Sequence, residues 1–197
     1  MKGSGAQLKL RATYVGESIR TVRSAELQLR ATAVPRIRLR INPIAGIIRF
    51  AMNIYLACTV RGDRGGLESA RALADLLERH GHTVVTRHLL DDDVEAVESA
   101  LTERDVFERD MKWLNASDLL VAEASGSSYG VGFEVGYVLG RAERTGQRVL
   151  VLYHAGRQPF VSRLIAGNAH EACTTYPYRD AADLLRFVDT YLAPVAR

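Results

Sequence analysis

The residue types best suited to chemistry in this chain are two carboxylates and two glycine-containing loops. Glu134 stands in SGSSYGVGFE, where a Ser/Gly turn leads into an apolar helix, and Asp110 stands in RDMKWLNASD, on the helix before it. Carboxylates drawn together from two helices can divide nucleophile and acid/base roles in glycosidic chemistry. Each also has a plainer reading. Glu134, expected in the first turn of its helix, could simply complement the helix dipole. On spacing alone, Asp110 reads better as a solvated charge on an amphipathic helix. Tyr55, on an apolar strand, reads first as core for the same reason.

The two loops supply anion chemistry. ACTVRGDRGG (57–66) offers the Thr59 hydroxyl, backbone N–H groups around Val60 and Gly62, and the Arg61 guanidinium. That set suits a phosphate, because glycines let the backbone approach and arginine supplies a charged fork. It matches neither the P-loop nor the G-x-G-x-x-G fingerprint, and glycine-rich turns after a first strand are common. In the second loop, Ser128 and Gly130 can present a hydroxyl and a backbone N–H to an anion at a helix start. His80, His82, His88, His154 and His170 show no metal-ligand spacing, so metal catalysis is not expected. Trp113 and Tyr129 read as packing residues, with Tyr129 a possible pocket wall. Cys58 reads as a small residue near the first loop.

The elements that must position these groups alternate along the chain. An apolar run at 52–60 reads as a first strand, and Leu67, Ala70, Leu73, Ala74 and Leu77 recur at helical spacing until Gly81. HTVVTRHLL (82–90) reads as a second strand. Asp91, Asp92 and Asp93 read as the acidic cap of a helix running to about Asn115, in preference to a metal site. DLLVAEAS (118–125) is a third strand, FEVGYVLGRAERTG a helix, QRVLVLYH a fourth strand, PFVSRLIAG a short helix and CTTYPY a fifth strand. AADLLRFVDTYLAPVA closes as a helix. Strands alternating with helices predict an α/β fold: a doubly wound, five-stranded parallel sheet, a flavodoxin-like or Rossmann-like three-layer sandwich. Ligands in such folds sit at the carboxyl ends of the strands, near the point where strand order reverses.

Charge is split along the chain. Residues 1–51 carry 10 Lys+Arg against 2 Asp+Glu, whereas residues 52–197 carry 16 against 21, so the net +3 belongs to the first quarter. The favoured reading of 1–51 is a basic, poorly ordered extension without a folded role, such as a start placed too early. An accessory strand packed on the body, or a targeting or nucleic-acid-binding tail, stands behind it. Nucleic-acid binding by residues 1–51 is therefore not expected, and 52–197 is the expected catalytic domain. An apolar content of 47% suits a packed core, and no apolar run approaches the roughly 20 residues of a membrane helix. Two cysteines are too few for a disulfide scaffold, and a cytoplasmic setting is expected.

Three blocks taken in order, IYLACTVRG, RDMKWLNASDLLVAE and SSYGVGFEVGYVLG, resemble the 2'-deoxynucleoside 5'-phosphate N-hydrolases, within the nucleoside 2-deoxyribosyltransferase-like superfamily. The resemblance spans residues 53 to 190. It implies the five-stranded parallel fold, a homodimer, no cofactor, and cleavage of a deoxynucleoside 5'-monophosphate to free base and deoxyribose 5-phosphate. It implies that Glu134 attacks C1' and forms a glycosyl-enzyme, that Asp110 assists the leaving base, and that Tyr55 stands near the reaction centre. Thr59, Val60, Arg61 and Gly62 would form the first nucleotide-binding loop, and Ser128 and Gly130 the phosphate-binding turn. Ser162 would reach the phosphate in the neighbouring subunit's site. Cys58 stands where a glycine is usual, and Phe133 where a tyrosine is common; both bear on base preference. A deoxyribosyltransferase that exchanges bases is the nearest rival, but its usual acidic residue before the helix is missing from SSYGVG. A nucleotide-binding module without turnover is the other alternative.

Overall fold

The computed structural model describes residues 38–41 and 48–193. Arg38–Ile41 (β1) and Ile48–Ala51 (β2) pair antiparallel in a two-stranded sheet. The rest of the expected N-terminal extension lies outside the described residues. The five-stranded sheet is built from Asn53–Ala57 (β3), Thr83–Val84 (β4), Leu119–Glu123 (β5), Arg148–His154 (β6) and Cys173–Tyr178 (β7), in the order β4-β3-β5-β6-β7. All its pairings are parallel. The chain leaves β3 for β4 on one side and returns to β5 on the other, so strand order reverses between β3 and β5. The doubly wound fold is as expected.

Strand parity divides the core. Ile54 and Leu56 of β3 and Val121 of β5 face Leu67–Arg79 (α1) and Ala181–Leu192 (α7), packing on Leu73, Leu77, Leu184 and Val188. Tyr55, Ala57, Leu120 and Ala122 face the opposite layer, made of Glu103–Ala116 (α3) and Tyr129–Leu139 (α4). Successive strand residues point to opposite faces, so a tyrosine at 55 is committed to the α4 side. Each face holds a contiguous apolar cluster, as a buried parallel sheet requires.

Three expectations need correction. The strand expected over 82–90 ends at Val84 and gives way to a 3-10 turn at Arg87–Leu90. Thr86 explains the change: its Oγ1 accepts from Leu56 N at 3.0 Å and donates to Leu56 O at 2.8 Å, so a side chain takes over the ladder bonds of β3. The helix expected from 91 to about 115 is two helices, Val94–Glu98 (α2) and α3. Thr102 starts the second one with a capping box, accepting from Asp105 N at 3.2 Å while its own N–H donates to Asp105 Oδ2 at 3.1 Å. Of the three acids, Asp93 takes the N-cap position of α2 without bonding it through its side chain, and Asp92 pairs with Arg71. Finally, α4 begins at Tyr129, earlier than expected, and a separate turn, Ala142–Thr145 (α5), follows it. Arg163–Ala166 (α6) is the short helix foreseen after β6.

The carboxyl edge is tied together by a buried carboxylate. Glu123, 1% exposed at the end of β5, accepts from Ser125 Oγ, from Tyr178 Oη at 2.7 Å and from Ser125 N at 3.3 Å. Burial pushes its pKa up, and these donors oppose that shift. The carboxylate also lies against Gly66, the N-cap of α1, where a Cβ would overlap it. Gly66→Ala should therefore destabilise the protein by about 2–3 kcal/mol, read from the urea unfolding midpoint. An unchanged midpoint would show that α1 slides freely against β5.

Candidate active site

Glu134 is the sixth residue of α4, so it lies in the second turn and not the first. A purely dipole-complementing role is thereby weakened, since that effect fades beyond the first turn. The start of α4 fixes its position: Ser128 is the N-cap, its Oγ accepting from Val131 N at 3.3 Å, and Val131, Val135 and Val138 anchor the buried face. Glu134 then meets β3. Tyr55, wholly buried, donates its Oη to Glu134 Oε1 at 2.6 Å. Desolvation pushes the Glu134 carboxyl up to about 7, with the Asp110 charge adding to the rise and the Tyr55 hydrogen bond opposing it. The Tyr55 hydroxyl is itself held far above its ordinary pKa, by burial and then by Glu134 and Asp110, so it stays a proton donor.

Asp110 reaches the same place from α3. Arg109 Nε donates to Asp110 Oδ1 at 2.8 Å. The other end of that guanidinium donates to both oxygens of Glu98, at 2.7 and 3.3 Å, and lies over the Trp113 ring at 4.9 Å. His88 packs edge-on against Trp113, with Nε2 3.9 Å from Glu98.

Glu134, Asp110, Val60, Arg61, Ser128 and Gly130 all line one cavity of about 540 Å³ at the carboxyl edge, beside the point where strand order reverses. Leu89, Leu101 and Val106 give it an apolar wall. Arg61 is exposed and makes no ion pair among the described residues. The turn at Ser128 and Gly130 offers the N-terminal amides of α4, and the guanidinium supplies positive charge: together they suit an anion.

Not every expected residue lines this cavity. Tyr55 stands outside it and meets it only through its bond to Glu134. Thr59 is buried behind the wall, with no hydrogen-bond partner for Oγ1. A Cβ on Gly126 would sit 2.7 Å from that oxygen and overlap the Asp63 carbonyl, so the two loops press together there. Gly62 adopts φ +99°, shaping the first loop without lining the cavity. Ser162 lines an adjoining cavity of about 390 Å³, which shares Ser127, Ser128 and Tyr129 with the first. Arg157, donating to Ser125 O at 2.8 Å and paired with Asp63, bridges the loops.

Sequence reasoning missed Glu98, Arg109 and Ser127 as wall residues, while Cys58, expected near the first loop, does line the wall. For Arg109 the adjacent Arg-Asp pair was a readable signal. Glu98 had none, because its approach depends on the break between α2 and α3. Burial pushes the Cys58 thiol up to about 12, which makes it inert as a nucleophile. Among the described residues, no group of three or more His, Cys, Asp or Glu could hold a metal ion.

Comparison with known proteins places the chain in a family. The family model described as nucleoside 2-deoxyribosyltransferase matches residues 54–171. A Thermofilum pendens protein named "Putative 2'-deoxynucleoside 5'-phosphate N-hydrolase 1" is 40% identical over 141 residues, covering 72% of this chain and 95% of its own. The 5-hydroxymethyl-dUMP N-hydrolase of Danio rerio is 32% identical over 117 residues, covering 59% of this chain and 78% of its own. The solved structure of a Clostridium botulinum CMP N-glycosidase, BcmB, shares the fold, with a TM-score of 0.52 at 15% identity over 71% of this chain and 98% of that one. By its match to the family model over residues 54–171, this chain belongs to the nucleoside 2-deoxyribosyltransferase family.

Proposed function

We propose that the protein hydrolyses the N-glycosidic bond of 2'-deoxynucleoside 5'-monophosphates, releasing a free nucleobase and 2-deoxyribose 5-phosphate. One observation carries the reading: a carboxyl set by a 2.6 Å bond from a buried tyrosine shares a cavity with a second carboxyl and an anion-binding helix start. The ionised Glu134 attacks C1' as the bond to the base breaks, and its charge stabilises the oxocarbenium-like transition state. Asp110 attends the departing base. The departing base takes up a proton; water then cleaves the glycosyl-enzyme, giving its hydroxyl to C1' and releasing a proton that replaces the one taken by the base, while the Glu134 carboxylate is restored. The phosphate binds at Arg61, Ser128 and Gly130, with Val60 and Gly62 shaping the loop and Thr59 supporting it from behind. This remote grip orients the sugar for attack.

Hydrolysis is preferred to base exchange for two reasons. Serine and glycine stand in the turn at 127–130, where a carboxylate would repel a phosphate. The sequence relatives compared above also carry N-hydrolase names. We infer that the working form is a homodimer in which Ser162 contributes to the neighbouring site. Support comes from the exposed apolar side chains of Tyr129 and Leu164, which line the adjoining cavity. The catalytic unit is assigned to residues 52–197, beginning with β3, and residues 1–51 to an extension outside it. No helix among the described residues is long and apolar enough to cross a membrane. Free Cys58 and Cys173 favour a reducing, cytoplasmic setting.

Three results test this reading. A panel of purine and pyrimidine monophosphates, deoxy and ribo, is expected to yield free base by chromatography, with sugar phosphate in equal amount. Base exchange into a second added base, without net sugar phosphate, would instead mark a transferase. Glu134→Gln should lose at least about a thousandfold in kcat while still binding the monophosphate, and near-normal turnover would remove Glu134 as nucleophile. The ionised carboxyl is the reactive form and its pKa is raised to about 7, so kcat/KM should climb with pH through about 7. Tyr55→Phe removes a bond that favours the charged form, which should move that limb to higher pH; an unmoved limb would show that another group sets it.

A further inference from the structure

The function proposed above asks the Asp110 carboxyl to point at the departing base, yet an aspartate on a helix flank ordinarily turns among several rotamers. Here one oxygen is held. The bond from Arg109 Nε to Oδ1, at 2.8 Å, joins adjacent residues of α3, whose side chains do not normally face each other on a helix. The guanidinium must therefore be drawn back over the helix by something else. Glu98 does this. It is 6% exposed at the end of α2 and receives both terminal nitrogens of Arg109, while Trp113 supports the guanidinium from beneath. Among the described residues Oδ2 of Asp110 takes no hydrogen bond, so one oxygen is anchored and the other is left to work. Glu98, Arg109 and Asp110 all line the cavity that holds Glu134.

We propose that Arg109, anchored by Glu98 and Trp113, is a positioning residue that fixes the Asp110 carboxyl toward the bond being broken. The proposal rests on the N-hydrolase reading. Arginine suits this task because its planar fork presents Nε to one carboxylate and both terminal nitrogens to another, whereas a lysine's compact ammonium offers no such bidentate geometry.

The test uses the full chain with dAMP, dGMP, dCMP, dUMP and dTMP, reading kcat, KM and the melting temperature. Arg109→Met should lower kcat about thirtyfold with KM within about twofold, and Arg109→Lys should fall between it and the wild type. Arg109→Met alone leaves the buried Glu98 charge with only the distant His88 Nε2, 3.9 Å away, so it should also melt earlier. The double variant Arg109→Met/Glu98→Gln removes that charge and should regain melting temperature while kcat stays low. Recovery of kcat together with stability would overturn the proposal, because Arg109 would then be a structural tie between α2 and α3. A KM rise at constant kcat would overturn it too, assigning Arg109 to substrate binding. A wild type that releases no base from any of the five nucleotides would instead sink the N-hydrolase reading, and this proposal with it.

Discussion

A carboxyl that must lose water to be useful needs a donor inside the protein, and the bond from Tyr55 to Glu134 meets that need at 2.6 Å. The fold around it is constrained accordingly. Tyr55 can reach α4 only because strand parity turns residue 55 toward that layer. Glu134 can meet it only because Ser128 fixes the helix start and three valines fix the helix phase. Both elements flank the place where strand order reverses, so the pair opens to the sheet's carboxyl edge and not to its interior.

The surrounding electrostatics separate groups that are alike in composition. Glu134 has its tyrosine partner and a carboxyl raised to about 7, whereas Asp110 is tied to a guanidinium. Two carboxyls in one cavity thus meet different partners, which is how a single site can divide labour between them. Cys58 lies on the same wall, but burial holds its thiol up at about 12, so it offers no competing nucleophile near neutral pH.

Much of this was legible in the sequence, for local reasons. The runs that became β3, β5 and β6 are continuous and apolar, the pattern of strands buried on both faces, whereas β7, at the sheet edge, is the half-buried CTTYPY; together they fixed the loops at the carboxyl edge. Val60, Arg61, Ser128 and Gly130 converge there as the alternating pattern implies, and Glu134 and Asp110, which spacing alone left open to plainer readings, line the same cavity. The failures are non-local or hinge on a side chain acting as backbone. Nothing in HTVVTRHLL reveals that Thr86 will bond the backbone of Leu56 and end the strand. The Thr102 capping box is readable in TERD, but an apolar stripe running past it concealed the break. Once broken, the chain lets Glu98 fold back on Arg109, a contact between residues too far apart for helical spacing to disclose. Thr59 and Ser162 show a further limit: motif position locates a loop, while the facing residues decide which side chain enters the cavity.

The loops at the carboxyl edge are keyed to one another. Gly126 leaves no room beside the Asp63 carbonyl and Thr59, Gly66 leaves none beside Glu123, and Arg157 joins Asp63 to Ser125. Such a rim is not modular. Grafting a foreign segment in place of residues 58–66 to recruit a different base would misfit the 125–128 turn and the connection after β6 unless all three were transplanted together. Variation in substrate choice should therefore accumulate on the apolar wall at Leu101 and Val106, which lie outside the buried core.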